Sequence, residues 1–162
     1  MNPTLTRSGC DDAAQFLYTI ADACLAWLEQ HGQDAAARLS GEQNALIAYA
    51  YLDSRVQEGG FVQLIAEGCA GHIFDSALPD SLRRWKIKTT PRILDKAAPL
   101  YEQYGAVIEI MAQNGADTDK IRRRYPMFEE LDGAYYDAAD ANMETAAAYI
   151  EAHREKFFRL PD

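Results

Sequence analysis

The 162-residue sequence predicts an all-α fold, a single-domain bundle of about six or seven helices. Apolar residues recur at steps of three and four along almost the whole chain. β-Branched residues are few, and period-two alternation never lasts long enough for a strand. Glycine and proline interrupt the periodic runs, which leaves room only for short connections. A chain of this size buries roughly 70% of the surface its unfolded form exposes, so one sizeable core is expected. One domain should span residues 1–162, with residues 1–10 as a flexible N-terminal tail.

The first helix should run from Asp12 to His31, with Phe16, Ile20, Cys24, Trp27 and Leu28 inward. Asp11 or Asp12 suits its N-cap and Gly32 its stop. Ser40 should start the second helix, with Ala45, Ala48, Leu52 and Val56 as its inner stripe and Gly59-Gly60 as its end. Phe61 to Glu67 reads as a short helix closed by Gly68 and Gly71. Pro79-Asp80-Ser81 should restart the chain in a turn that carries Leu82, Trp85 and Ile87. Pro91 permits a helix from about Arg92, with either a kink at Pro99 or a start at Ala98, and Asn114-Gly115 ends it. Asp117 or Thr118 should cap a short basic helix through Arg124, and Pro126 should open the next one. Asn142 is placed as the cap of the last helix, with Met143, Ala147, Ile150 and Phe157 inward.

Charge is segregated along the chain. Residues 1–80 carry a net of −8 and residues 126–162 a net of −6, while residues 81–125 carry +5. With 48% hydrophobic residues the chain is too apolar for an acidic disordered one, so the excess of acids should lie on a folded surface. This balance disfavours anionic membranes and direct DNA binding. Cys10, Cys24 and Cys69 are odd in number and have no paired spacing, which fits reduced thiols in a cytoplasmic protein. The polar N-terminus has no apolar core of a signal peptide, and no apolar run approaches ~18 residues.

Catalytic and cofactor motifs are missing from the sequence: no phosphate-binding glycine loop, no H-E-x-x-H and no C-x-x-C. No catalytic residue, cofactor or metal is therefore expected. Cys69 and His72 have the spacing of half a zinc site, but no second pair follows. Asp75, Asp80 and the Glu129-Glu130-Asp132 cluster could act as acids or bases, although acidic clusters on helices are usually solvated faces. The basic block has two parts: Arg83, Arg84, Lys86, Lys88 and Arg92 around Trp85, and Lys120 with Arg122, Arg123 and Arg124 before Tyr125. Pairing with the acidic segments, within or between subunits, explains it better than nucleic-acid binding.

The acidic C-terminal segment is the candidate site. If residues 127–158 are nearly continuous helix, Glu130, Asp137, Glu144 and Glu151 repeat every seven residues, with Asp140 and Glu155 at intervening steps. At ~1.5 Å rise per residue, neighbours stand roughly 5–10 Å apart, a spacing that overlaps the charges on a DNA strand. Glu129, Glu130, Asp132, Asp137, Asp140, Glu144, Glu151 and Glu155 are thus candidate phosphate surrogates, and Asp22, Glu29 and Asp34 could extend the surface.

Glu58-Gly59-Gly60-Phe61-Val62-Gln63, the helix before it and the helix near Tyr149 to Phe158 carry a further likeness. Over roughly residues 40–158 the chain resembles a bacterial family of small, all-helical proteins with a Gly-Gly-Phe-x-Gln motif, whose members often carry Asn where Glu58 stands here. Its length, acidity and helix order look most like those of the neisserial DNA mimics in that family. The resemblance implies an all-α fold, a homodimer and binding to a helix-turn-helix transcription factor in place of operator DNA, with no catalysis and no cofactor. The Gly-Gly-Phe motif then serves the fold, and the function lies in the acidic surface. Two other readings fit an acidic helical protein: an immunity or adaptor protein that neutralises a basic toxin or enzyme, and a hydrolase with an unrecognised acidic site.

Overall fold

The computed structural model describes residues 1–162 and is all-α, with no strand. Its helices are α1 (Ala13–His31), α2 (Gly41–Ala66), α3 (Gly71–Phe74), α4 (Leu78–Arg84), α5 (Thr89–Gln113), α6 (Thr118–Arg124), α7 (Glu129–Ala152) and α8 (Arg154–Phe157). Six of them have seven residues or more. Short 3-10 turns cover Arg7–Gly9, Gln33–Arg38 and Pro126–Phe128.

Local chemistry sets the boundaries. The Asp12 carboxylate accepts the Gln15 N–H at 2.7 Å and caps α1, and Gly32 ends it at φ +87°. Ser40 and Gln43 form a reciprocal capping box at the start of α2. Inside α2 the helical path breaks at Gly59 (φ −159°) and Gly60 (φ +76°), so Phe61 begins a new helical direction, as the two glycines foretell.

α1 packs on α2 and α7, and α5 packs on α2, α4 and α7. The main core gathers 36 buried residues from all eight helices and the connections between them, with Trp85, Tyr49, Tyr135, Phe16, Phe61, Phe128 and Phe157 as its largest. A second cluster of Cys24, Trp27, Leu28, Ala35 and Leu39 closes the far end of α1. No helix is long and apolar enough to cross a membrane.

Two sequence expectations shift. α5 starts at Thr89 and runs through Pro99 without a new start, with Pro91 in its first turn. Asn142 caps nothing: its amide donates to the Thr89 and Thr90 hydroxyls at 2.7 and 3.1 Å, and α7 continues past it to Ala152. Within residues 1–10, Met1, Leu5 and Cys10 pack against the core, and Arg7 reaches Glu144 and Glu151 on α7.

Candidate functional site

Phe128, fully buried under the Pro126–Phe128 turn, fixes where α7 begins. The helix then runs unbroken for 24 residues, roughly 36 Å at ~1.5 Å per residue. Leu131, Tyr135, Ala139, Met143, Ala146, Ala147 and Ile150 form its inner face. Glu129, Glu130, Asp137, Asp140 and Glu144 are exposed, and Glu151 is half-buried. Glu155 is exposed on α8, past a break at His153. Glu130, Asp137 and Glu144 are thus successive members of one outer stripe, ~10 Å apart along the axis. None of Glu129, Glu130, Asp137, Asp140 and Glu155 has a cation within ion-pair distance.

Asp132, a candidate phosphate surrogate from the sequence, does not share this surface. It shares helical phase with Tyr135 and Ala139, and it is buried. Its Oδ1 accepts the backbone N–H of Phe61 at 2.8 Å, and its side chain fills the space above Gly60 where a Cβ would otherwise lie. Burial raises its pKa, opposed by the Phe61 hydrogen bond. That helical phase was a legible signal of burial, since the neighbours at +3 and +7 are apolar.

The N-terminal segment brings more charge to α7. The Arg7 guanidinium grips Glu144, with Nη2 donating to Oε1 at 2.6 Å and Nε to Oε2 at 3.2 Å. The Arg7 backbone N–H donates to Glu151 Oε1 at 2.8 Å. The hydrogen bond from Arg7 holds the Glu144 carboxyl below the usual carboxylate range. Asp11 and Asp12 line the same groove of about 480 Å³ as Asp140 and Glu144. Sequence reasoning passed over these two acids as surface members, because only the packing of α1 on α7 makes them neighbours. Asp22, by contrast, borders a separate groove between α1 and α2.

Three arginines of the basic block, Arg83, Arg84 and Arg122, lie in internal pairs. Arg84 pairs with Glu42, whose other oxygen accepts the Trp85 indole N–H at 2.6 Å. Arg83 bridges Asp80 and Asp95 at 3.1 and 2.6 Å, and Arg122 meets Asp119 at 3.0 Å. Trp85 is fully buried against Tyr149 and Phe157, so it offers no stacking platform to a nucleic acid. Cys69 is exposed, and it shares with His72 the rim of an apolar groove of about 610 Å³ between α1 and α2. No group of three or more His, Cys, Asp or Glu side chains is arranged to hold a metal ion.

A family model described as "DMP19-like protein" matches residues 37–153, a span that holds both the Gly59-Gly60 break and α7. The chain is 49% identical over 149 residues to "DNA mimic protein DMP19" of Neisseria meningitidis serogroup B (strain MC58). That alignment covers 92% of this chain and 90% of the neisserial one.

Proposed function

The chain belongs to the DMP19-like protein family, and on that premise we propose that it is a DNA mimic. Its acidic surface occupies the DNA-binding face of a helix-turn-helix transcription factor and blocks that factor's binding to operator DNA. The observation that carries this reading is the unbroken outer face of α7, where Glu130, Asp137 and Asp140 stand exposed and unpaired. These three carboxylates have no cation within ion-pair distance in the fold, which leaves them open to a partner's cations.

Glu129, Glu130, Asp137, Asp140, Glu144, Glu151 and Glu155 are the phosphate surrogates, joined by Asp11 and Asp12. Asp132 is left out because its carboxylate is buried under Phe61. Each exposed contact is weak alone, so affinity comes from their number and falls steeply with salt. The surface steers a basic partner into a fast encounter and has no reaction to perform. We place the protein in the cytoplasm, where such regulators work, as a homodimer whose +5 centre meets an acidic flank across a two-fold axis.

The test is capture from native lysate at low salt, repeated with added duplex DNA and with the triple variant Asp137→Lys, Asp140→Lys, Glu144→Lys. The expected result is a DNA-binding regulator that duplex DNA displaces and the triple variant fails to hold. A partner indifferent to both DNA and charge reversal would overturn the mimic reading. Recovery of a basic toxin or enzyme instead would establish the immunity role.

A further inference from the structure

If the acidic face receives a partner's cations, as proposed above, then its C-terminal half is already occupied by the chain itself. Arg7 engages two members of the stripe, Glu144 through its guanidinium and Glu151 through its backbone N–H. A third donor of the same side chain, Nη1, reaches the Cys10 carbonyl at 3.2 Å. We propose that the Arg7–Gly9 turn is a strap that competes with the partner: Arg7 sits where a partner arginine binds, and docking lifts the turn away.

Three features support displacement over a purely structural role. First, the grip is a two-point one, Nη2 and Nε on the two oxygens of one carboxylate, which is the geometry in which a guanidinium recognises a carboxylate or phosphate and an ammonium does not. Second, the pair is accessible: the two side chains keep 29% and 57% of their exposure. Exposed ion pairs are weak, so a partner presenting several cations at once outcompetes a single one. Third, no residue of the Arg7–Gly9 turn is buried, and the outer ties of the N-terminal segment are polar, including Arg154 Nη2 to the Pro3 carbonyl at 3.0 Å. Met1, Leu5 and Cys10 stay packed against the core as anchors, so only the Arg7–Gly9 turn lifts, and lifting it exposes little core. The vacated groove keeps Asp11, Asp12, Asp140 and Glu144 and loses its one cation, so it becomes a stronger site for an incoming guanidinium.

The strap also sets a preference. A lysine could neutralise Glu144 but could not reproduce the paired bonds, so the displaced contact favours arginine-presenting surfaces over lysine-presenting ones.

The test uses the full chain and a fluorescein-labelled octa-arginine peptide, read by fluorescence anisotropy at low salt. Arg7→Ala removes the competitor. Arg92→Ala removes the same charge from an exposed position on α5 and controls for net charge. Arg7→Ala is expected to bind the peptide at least about three-fold more tightly than Arg92→Ala, the scale of one exposed ion pair. The gain should vanish in Arg7→Ala, Glu144→Gln and be smaller with octa-lysine. Circular dichroism checks that each variant remains folded. Equal affinities for Arg7→Ala and Arg92→Ala, or weaker binding by Arg7→Ala, would overturn the strap while leaving the acidic-surface reading standing. No binding by any variant, the wild-type chain included, would overturn both.

Discussion

Asp132 holds Phe61: from the inner face of α7 its Oδ1 accepts the Phe61 backbone N–H at 2.8 Å. The bond ties the acidic helix to the point where α2 changes direction, and it satisfies an N–H that the break at Gly59-Gly60 leaves without a helical partner. The motif that carried the family likeness and the helix proposed to carry the function are thus joined through one carboxylate.

Asp132→Ala should therefore cost about 1–3 kcal/mol, the range for leaving a buried donor unsatisfied, while Asp132→Asn should stay close to wild type because its carbonyl still accepts. Burial raises the Asp132 pKa, so the folded state binds that proton more tightly than the unfolded chain. The group's stabilising contribution is complete below its unfolded pKa and is lost as pH rises through the raised folded value. Asn has no proton to lose and should remove that slope. Urea midpoints across mildly acidic pH, for all three proteins, check both points.

Gly60→Ala should be more damaging than an ordinary helix substitution. The residue sits at φ +76°, and an added Cβ would overlap the Asp132 carboxylate. Backbone at φ +76° and ψ −172° is open essentially to glycine alone and costs another residue about 1–3 kcal/mol, and displacing Asp132 adds the loss of its hydrogen bond, for about 2–5 kcal/mol in total. Thermal or urea unfolding reads it; a loss under 1 kcal/mol would contradict the packing described.

Asp53 joins three helices. It is buried on α2, and it accepts the Tyr18 hydroxyl from α1 at 2.6 Å and the Tyr135 hydroxyl from α7 at 2.7 Å. Tyr135→Phe should cost about 1.5–3 kcal/mol, the usual worth of a hydrogen bond to a charged group. Tyr18→Phe with Tyr135→Phe should differ from the sum of the single losses, because both act on one carboxylate. Additive values would show that the two bonds are independent.

Glu144 should titrate below ordinary glutamates. The bond from Arg7 lowers its pKa, so the contact is fully formed above the unfolded carboxylate value and is lost as pH falls through the lowered folded value. Carboxyl-detected NMR should find this shift, and Arg7→Ala should return Glu144 to the normal range. An unshifted Glu144 would mean that Arg7 does not rest on it in solution.

Dimerisation is checked by sedimentation at micromolar concentration and low salt. The expected species is a dimer that salt weakens, and a monomer throughout would remove the charge-paired assembly.

The elements that announced themselves were those governed by neighbours in sequence. Asp12 and Ser40 cap helices through partners three residues away, and Gly59-Gly60 breaks α2 through its own backbone freedom. The misplacements came from groups whose partners are distant. Asn142 looks like a cap until its amide is seen on Thr89 and Thr90, more than fifty residues upstream. Glu42, in the first turn of α2, is likewise buried by distant partners, Arg84 and Trp85, which leave no mark near it in the sequence. The outer stripe of α7 was readable because helical phase is a local property, whereas the grip of Arg7 on Glu144 spans nearly the whole chain and leaves no periodic trace.

The unbroken course of α7 gives the stripe a hand. Positions seven apart fall short of two full turns by about 20°, so the line through Glu130, Asp137 and Glu144 winds slowly leftward around the helix. A strand of B-form DNA winds to the right. The two paths can coincide only over a short arc and then diverge, so the proposed α7 surface would by itself match no more than a brief stretch of phosphates. Continuing the right-handed path requires carboxylates from a different helix, and Asp11 and Asp12 stand beside α7 where such a crossing would begin.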